Sequence, residues 1–129
     1  MLLTVRDATF GGDVTHEVPL RFTSAEVTVR EIITERVTQE VEAYNESRRD
    51  EAFAGLVRPV DAEARLNGPR RAPAPIDAER QCYVALDAFQ RNGFFVLVDD
   101  VQAETLEQRV HLRDDTDISF VRLTPLIGG

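Results

Sequence analysis

Val27-Thr28-Val29-Arg30-Glu31-Ile32-Ile33 is the stretch where the hydrophobic pattern of this chain changes its period. Before it, apolar and polar side chains alternate, as on a strand; after it, apolar residues recur every three to four positions, as along one face of a helix. Thr28 and Glu31 have the spacing of a capping box, which satisfies backbone N–H groups left over at a helix start. Val27 and Ile32 stand where a hydrophobic staple would close the first turn. Val29, Ile32, Ile33, Val37, Val41 and Tyr44 then make one apolar stripe, with Arg30, Glu35, Gln39 and Glu42 opposite. The pattern predicts an amphipathic helix whose stripe packs on a sheet.

Upstream, Met1 to Phe10 reads as a strand with Met1, Leu3 and Val5 on one face, and Gly11-Gly12-Asp13 as a hairpin turn. Val14 to Phe22 reads as the return strand, with Val18, Leu20 and Phe22 alternating. Pro19 has no N–H to give to a ladder, so this strand is expected at an edge or with Pro19 at a non-bonded position.

Downstream, residues 46–76 are irregular. A charged run, Glu46 to Glu51, precedes the apolar Phe53-Ala54-Gly55-Leu56-Val57; Pro59 breaks it, and a short helix is expected over Asp61–Leu66. Asn67 to Pro75 reads as an exposed loop, with Arg70 and Arg71 solvated in it. Asp77 then caps a second helix. Its apolar face is Ala78, Cys82, Ala85, Leu86 and Phe89, and Asn92-Gly93 is a left-handed stop. Phe94 to Val98 has the density of a strand buried on both faces. Asp99-Asp100 turns it into Val101–Glu104, Thr105 to Leu112 reads as an irregular crossing, and Asp114–Asp117 as a turn. Ile118 to Leu123 is the last strand. It runs into a tail, residues 124–129, that ends in Pro125-Leu126-Ile127-Gly128-Gly129.

Composition narrows the function classes. The 129 residues are enough for one domain with a real core. A net charge of −8 argues against nucleic acid, whose phosphates call for clustered positive charge, and suits docking to a basic protein surface or simply solubility. No apolar run reaches the roughly 20 residues that span a bilayer, and no secretion signal opens the chain. One cysteine, Cys82, forms no internal disulfide and fits a reducing cytosol. On its helical face it reads as a small apolar residue, with neither His16 nor His111 at a recognisable catalytic spacing. The acidic pairs lack the spacing of a calcium loop. All 15 basic residues are arginine. Base composition of the genome accounts for that; the functional alternative is a protein that avoids offering its own amines as acceptors. Either way, no isopeptide bond to an internal lysine can form on this chain.

The order strand, hairpin, strand, capped helix, insertion, strand, tight turn, strand, crossing, strand, Gly-Gly resembles the β-grasp fold of ubiquitin and of the sulfur carriers MoaD and ThiS. Met1-Leu2-Leu3-Thr4-Val5, Val27–Ile33, Phe95–Gln102 and Ile118–Gly129 carry the resemblance, which covers about the first 45 and last 35 residues. It implies an α+β β-grasp domain over residues 1–129: a mixed sheet on a long helix, with a helical and loop insertion, about 46–93, between the first helix and third strand. It further implies that Gly128 and Gly129 are the site of activation. Glycine lacks a Cβ, so such a tail can thread a narrow channel to an adenylating site. An activating enzyme related to MoeB and ThiF would adenylate the Gly129 carboxylate with ATP, holding Ile127, Leu126, Pro125, Leu123 and Arg122 as the docking tail. The chain itself would be no enzyme, with no catalytic residues, metal or bound cofactor. A conjugating enzyme and a deconjugating protease are the further partners expected of a modifier. The insertion favours the modifier, since a sulfur carrier needs little beyond body and tail; it could also serve self-association. Pro125 looks more like the sulfur carriers. A third reading is a non-covalent adaptor in which the glycines are incidental.

Overall fold

The computed structural model describes residues 1–47, 55–57 and 75–122. The expected helix over Asp61–Leu66, the Arg70-Arg71 loop and the tail residues Leu123, Pro125, Leu126, Ile127, Gly128 and Gly129 lie outside them.

Leu3 and Val5 alternate inward along β1 (Leu2–Thr9), which folds back through a turn into β2 (Val14–Arg21). In that turn the Gly12 N–H donates to the Thr9 carbonyl at 2.9 Å with φ at +95°, a conformation that suits glycine. β2 is an edge strand, as Pro19 requires. Its outward side is further closed by Gln39, whose amide accepts from the Arg21 N–H at 3.1 Å and donates to the Arg21 carbonyl at 2.8 Å. An unpaired edge invites pairing with other chains, and these two devices blunt it.

β3 (Glu26–Thr28) leads directly into α1 (Val29–Ser47). Thr28 Oγ1 accepts the Glu31 N–H at 3.2 Å, as the capping box requires, while its hydroxyl donates to the Glu31 carboxylate at 3.3 Å. Val27 and Ile32 are both buried, and so are Val29, Ile33, Val37 and Val41, with Tyr44 packed at the margin. The second helix, α2 (Ala78–Gln90), packs on α1. Asp77 caps it by accepting from the Glu79 and Arg80 amides. Asn92 takes the left-handed conformation at its end, and Gly93 closes on the Ala88 carbonyl at 2.7 Å. A Cβ on Gly93 would sit 3.1 Å from that same oxygen, so the position is tight.

β4 (Phe94–Val98), β5 (Val101–Gln102) and β7 (Ile118–Arg122) complete a mixed five-stranded sheet of order β2-β1-β7-β4-β5. β7 runs parallel to β1 and antiparallel to β4. The stretch read as an irregular crossing contains β6 (Arg109–His111), which pairs with β3 in a small second sheet. The fold is α+β, with a mixed sheet and two helices among the described residues.

Two expectations need correction. β4 is buried on one face only: Phe94 and Val96 are inside, whereas Phe95 and Leu97 are half-buried on the other side. The described helices pack on one face of the sheet, so apolar density alone overstated the burial. Met1 is 44% exposed because it lies at the sheet's end, paired with Phe22.

Asp99 and Asp100 both have positive φ, 49° and 66°, the backbone of a primed two-residue hairpin turn. Asp99 contributes its carboxylate, which accepts the Asp117 N–H at 2.9 Å. Asp100 holds a left-handed conformation that glycine adopts without a Cβ penalty. Asp100→Gly is therefore expected to stabilise the fold by about 0.5–1 kcal/mol. Urea unfolding would show a raised midpoint at unchanged slope.

Candidate functional site

Of the seven residues expected to form the activation site and its docking tail, Arg122 is the one described. It is the last residue of β7, the central strand, lying opposite Thr9 on β1 and Phe94 on β4. Chain alternation puts it on the same face as Ile118 and Phe120, both fully buried. Its guanidinium donates to the carbonyls of Gly55 and Leu56, the latter at 2.8 Å. The end of β7 is thus tied to residues 55 and 56.

Behind that contact stands a buried charge network. Leu56, 5% exposed, gives its N–H to the Glu40 carboxylate at 2.9 Å. Glu40 accepts from Arg36 Nε at 2.6 Å, and the other two guanidinium nitrogens of Arg36 grip Asp7 bidentately at 2.5 and 2.7 Å. The Arg36 guanidinium also lies 4.9 Å from the Phe120 ring centroid, a cation–π contact. Arg36 and Asp7 are each 2% exposed. Burial works against the charge on Arg36, but hydrogen bonds to Asp7 and the charges of Glu40 and Asp7 overcome it, so its pKa is raised. For Glu40 burial is the largest effect and lifts its carboxyl above the usual 4.5, with Arg36 only partly offsetting it.

A raised carboxyl pKa means that the folded state holds the proton more tightly than the unfolded chain. Glu40 therefore contributes stability that is present below pH 4.5 and is lost as the pH rises through its folded-state pKa. The stability of the wild type relative to Glu40→Gln is expected to fall as pH rises from about 4 to about 7. Chemical denaturation of both proteins across that range checks the slope; a difference that grows with pH would contradict it.

The opposite face of the sheet is less buried among the described residues. Ala8, Val121 and Phe95 lie in one row across β1, β7 and β4, and Phe10 reaches over to Phe95 with ring centroids 6.5 Å apart. Phe10 is 70% exposed and Val14, paired with Ala8, is 50% exposed. This apolar strip borders the point where β7 ends. Toward the start of β7 the same face turns acidic. Arg6 pairs there with Asp117, with Glu17 and Asp100 nearby, and its pKa is raised by the hydrogen bond to Asp117 and by those charges.

Cys82 is half-buried between the helices, 3.6 Å from Thr38 Oγ1, and burial pushes its thiol pKa up. Those are the surroundings of a packing residue rather than a nucleophile. His111 is exposed and pairs with Glu26. Among the described residues no group of three or more His, Cys, Asp or Glu could hold a metal ion, and no helix is long and apolar enough to cross a membrane.

The sequence pointed to Arg122 but not to its role, and it gave no weight to Asp7, Arg36 or Phe10. A signal for the network was present. Asp7 continues the inward alternation of Leu3 and Val5, while Arg36 and Glu40 follow Ile32 and Ile33 at helical spacing, within the apolar stripe. No protein-family model, curated protein or solved structure matches this chain.

Proposed function

We propose that this chain is a cytosolic ubiquitin-like modifier of β-grasp fold, spent as an acyl donor through Gly129. The observation that carries the reading is the placement of β7. The last described strand lies at the centre of the sheet, parallel to the first and between the two hairpins, and the sequence after it ends in Gly-Gly. That arrangement supports a rigid body which offers an acyl group on a short tether, so that docking of the body raises the local concentration of the carboxylate at an enzyme's active site. The chemistry requires Gly129 to carry a free carboxylate, as encoded or after processing.

The adenylating partner, a protein of the MoeB and ThiF kind using ATP, would cover the less buried face beside the tail. Phe10, Phe95 and Val121 offer it apolar area, and Glu17, Asp100 and Asp117 call for a basic rim. No catalytic group is required of the chain itself. A conjugating enzyme and a deconjugating protease would follow in the pathway.

Pro125 favours a second reading, a sulfur carrier. The two separate by mass spectrometry after incubation with the activating enzyme, ATP and a sulfur donor. A thioester to a partner's cysteine supports the modifier, and a C-terminal thiocarboxylate supports the carrier. An unaltered chain under conditions in which the enzyme activates another substrate contradicts both.

A further inference from the structure

We propose that Arg122 is a positioning residue, and that Gly55-Leu56-Val57 is the latch through which it fixes the root of the tail. The proposal rests on the acyl-donor reading for its consequence, but the latch itself rests on geometry alone.

The segment 55–57 is gripped from three elements. From α1, the Glu40 carboxylate accepts the Leu56 N–H. From α2, Gln81, itself 3% exposed, donates to the Val57 carbonyl at 2.5 Å. From β7, Arg122 donates to the two preceding carbonyls. The Leu56 side chain is buried in the common core. Three backbone groups in a row, two carbonyls and one N–H between them, are thus answered by side chains of fixed elements. A further carbonyl is answered by Gln81. Backbone groups inside a fold need partners, and these have them without any sheet or helix ladder.

The same contacts act on Arg122. Its register opposite Thr9 and Phe94 fixes its Cα, and the two carbonyls fix its guanidinium, so the end of β7 is held from both ends of the side chain. Seven residues separate this point from the end of Gly129. A tether that short delivers its carboxylate to a defined volume only if its root does not move. Arg122 is the residue that holds the root, through Gly55 and Leu56 rather than by touching the partner. A partner that pulled residues 55–57 away would loosen the tail, which gives the insertion a means to act on the acyl end.

Two measurements decide the matter. Hydrogen exchange on the chain alone reads the latch: in Arg122→Gln the amide of Leu56, held by Glu40, is expected to exchange about tenfold faster, with those of Val5 and Leu20 unchanged. Unchanged exchange at Leu56 would overturn the latch. Steady-state adenylation reads the positioning role. Arg122→Gln is expected to lower kcat about tenfold, with the KM for the chain held within about twofold, and Arg122→Lys to recover part of the loss because an ammonium can still donate to the carbonyls. A raised KM at full kcat would instead make Arg122 a docking contact, and the positioning role would fall. A wild-type chain that is never adenylated overturns the acyl-donor reading and the positioning role with it, while the exchange result still decides the latch.

Discussion

Replacing Arg36 with methionine is expected to destabilise the fold by about 3–5 kcal/mol, a large part of the 5–15 kcal/mol typical of a domain. Methionine matches the length of the arginine stem but leaves the buried Asp7 and the largely buried Glu40 without the cation that answers both. Each carboxylate then pays its desolvation with no Coulombic return, and the two repel. The loss should shrink as the pH falls, because Glu40, whose carboxyl burial pushes up, then takes a proton and one unpaired charge is removed. Removing the whole network is a different matter. The triple variant Asp7→Leu, Arg36→Met, Glu40→Gln should recover most of the loss, since apolar packing often replaces a buried ion network at little cost. Urea unfolding of the single and triple variants measures both. A single-variant loss under about 1 kcal/mol would mean that water reaches the network.

Deleting Gly128 and Gly129 is expected to abolish conjugates completely while leaving the melting temperature within about 2 °C of wild type. Glycine has no side chain to add to a core, so removing the two is expected to take away little packing. Gly128→Leu tests the same point more sharply. It keeps the carboxylate but places a branched side chain where a narrow channel admits none, and activation should fall at least about a hundredfold. Denaturing gels of cells expressing each variant, beside thermal melts of the purified proteins, check the pair. Persisting conjugates would remove the acyl-donor reading, and a large fall in melting temperature would show the tail to be packed structure.

Much of the fold was legible because it depends on local signals. The change of period at Val27–Ile33, the Thr28 and Asp77 caps, the Asn92-Gly93 stop and Pro19 at an edge are each set by neighbours in sequence. The burial of Asp7 was not, because an aspartate in a strand reads as solvent-facing until its partner on a helix 29 residues away is known. β4 misled for the opposite reason: its five apolar residues carry no mark of which face a helix will cover. The link from Arg122 to Gly55 and Leu56 spans more than 60 residues and runs to backbone carbonyls, which every residue possesses. Nothing in side-chain chemistry could announce it. The glycine tail is the reverse case, plain in the sequence and outside the described residues.

If Gly129 becomes joined to other molecules through its carboxyl carbon, trypsin offers a direct reading of the bond. Cleavage after Arg122 leaves Leu-Thr-Pro-Leu-Ile-Gly-Gly, residues 123–129, which contains no further arginine or lysine. A target modified by this chain would therefore keep a seven-residue branch of known mass at the acceptor atom. Tryptic peptides from cells that express the chain and its activating enzyme are predicted to carry that branch, and to lose it when Gly129 is deleted. Recovery of residues 123–129 only as an unjoined peptide, or only as part of a longer linear one, would contradict the acyl-donor reading.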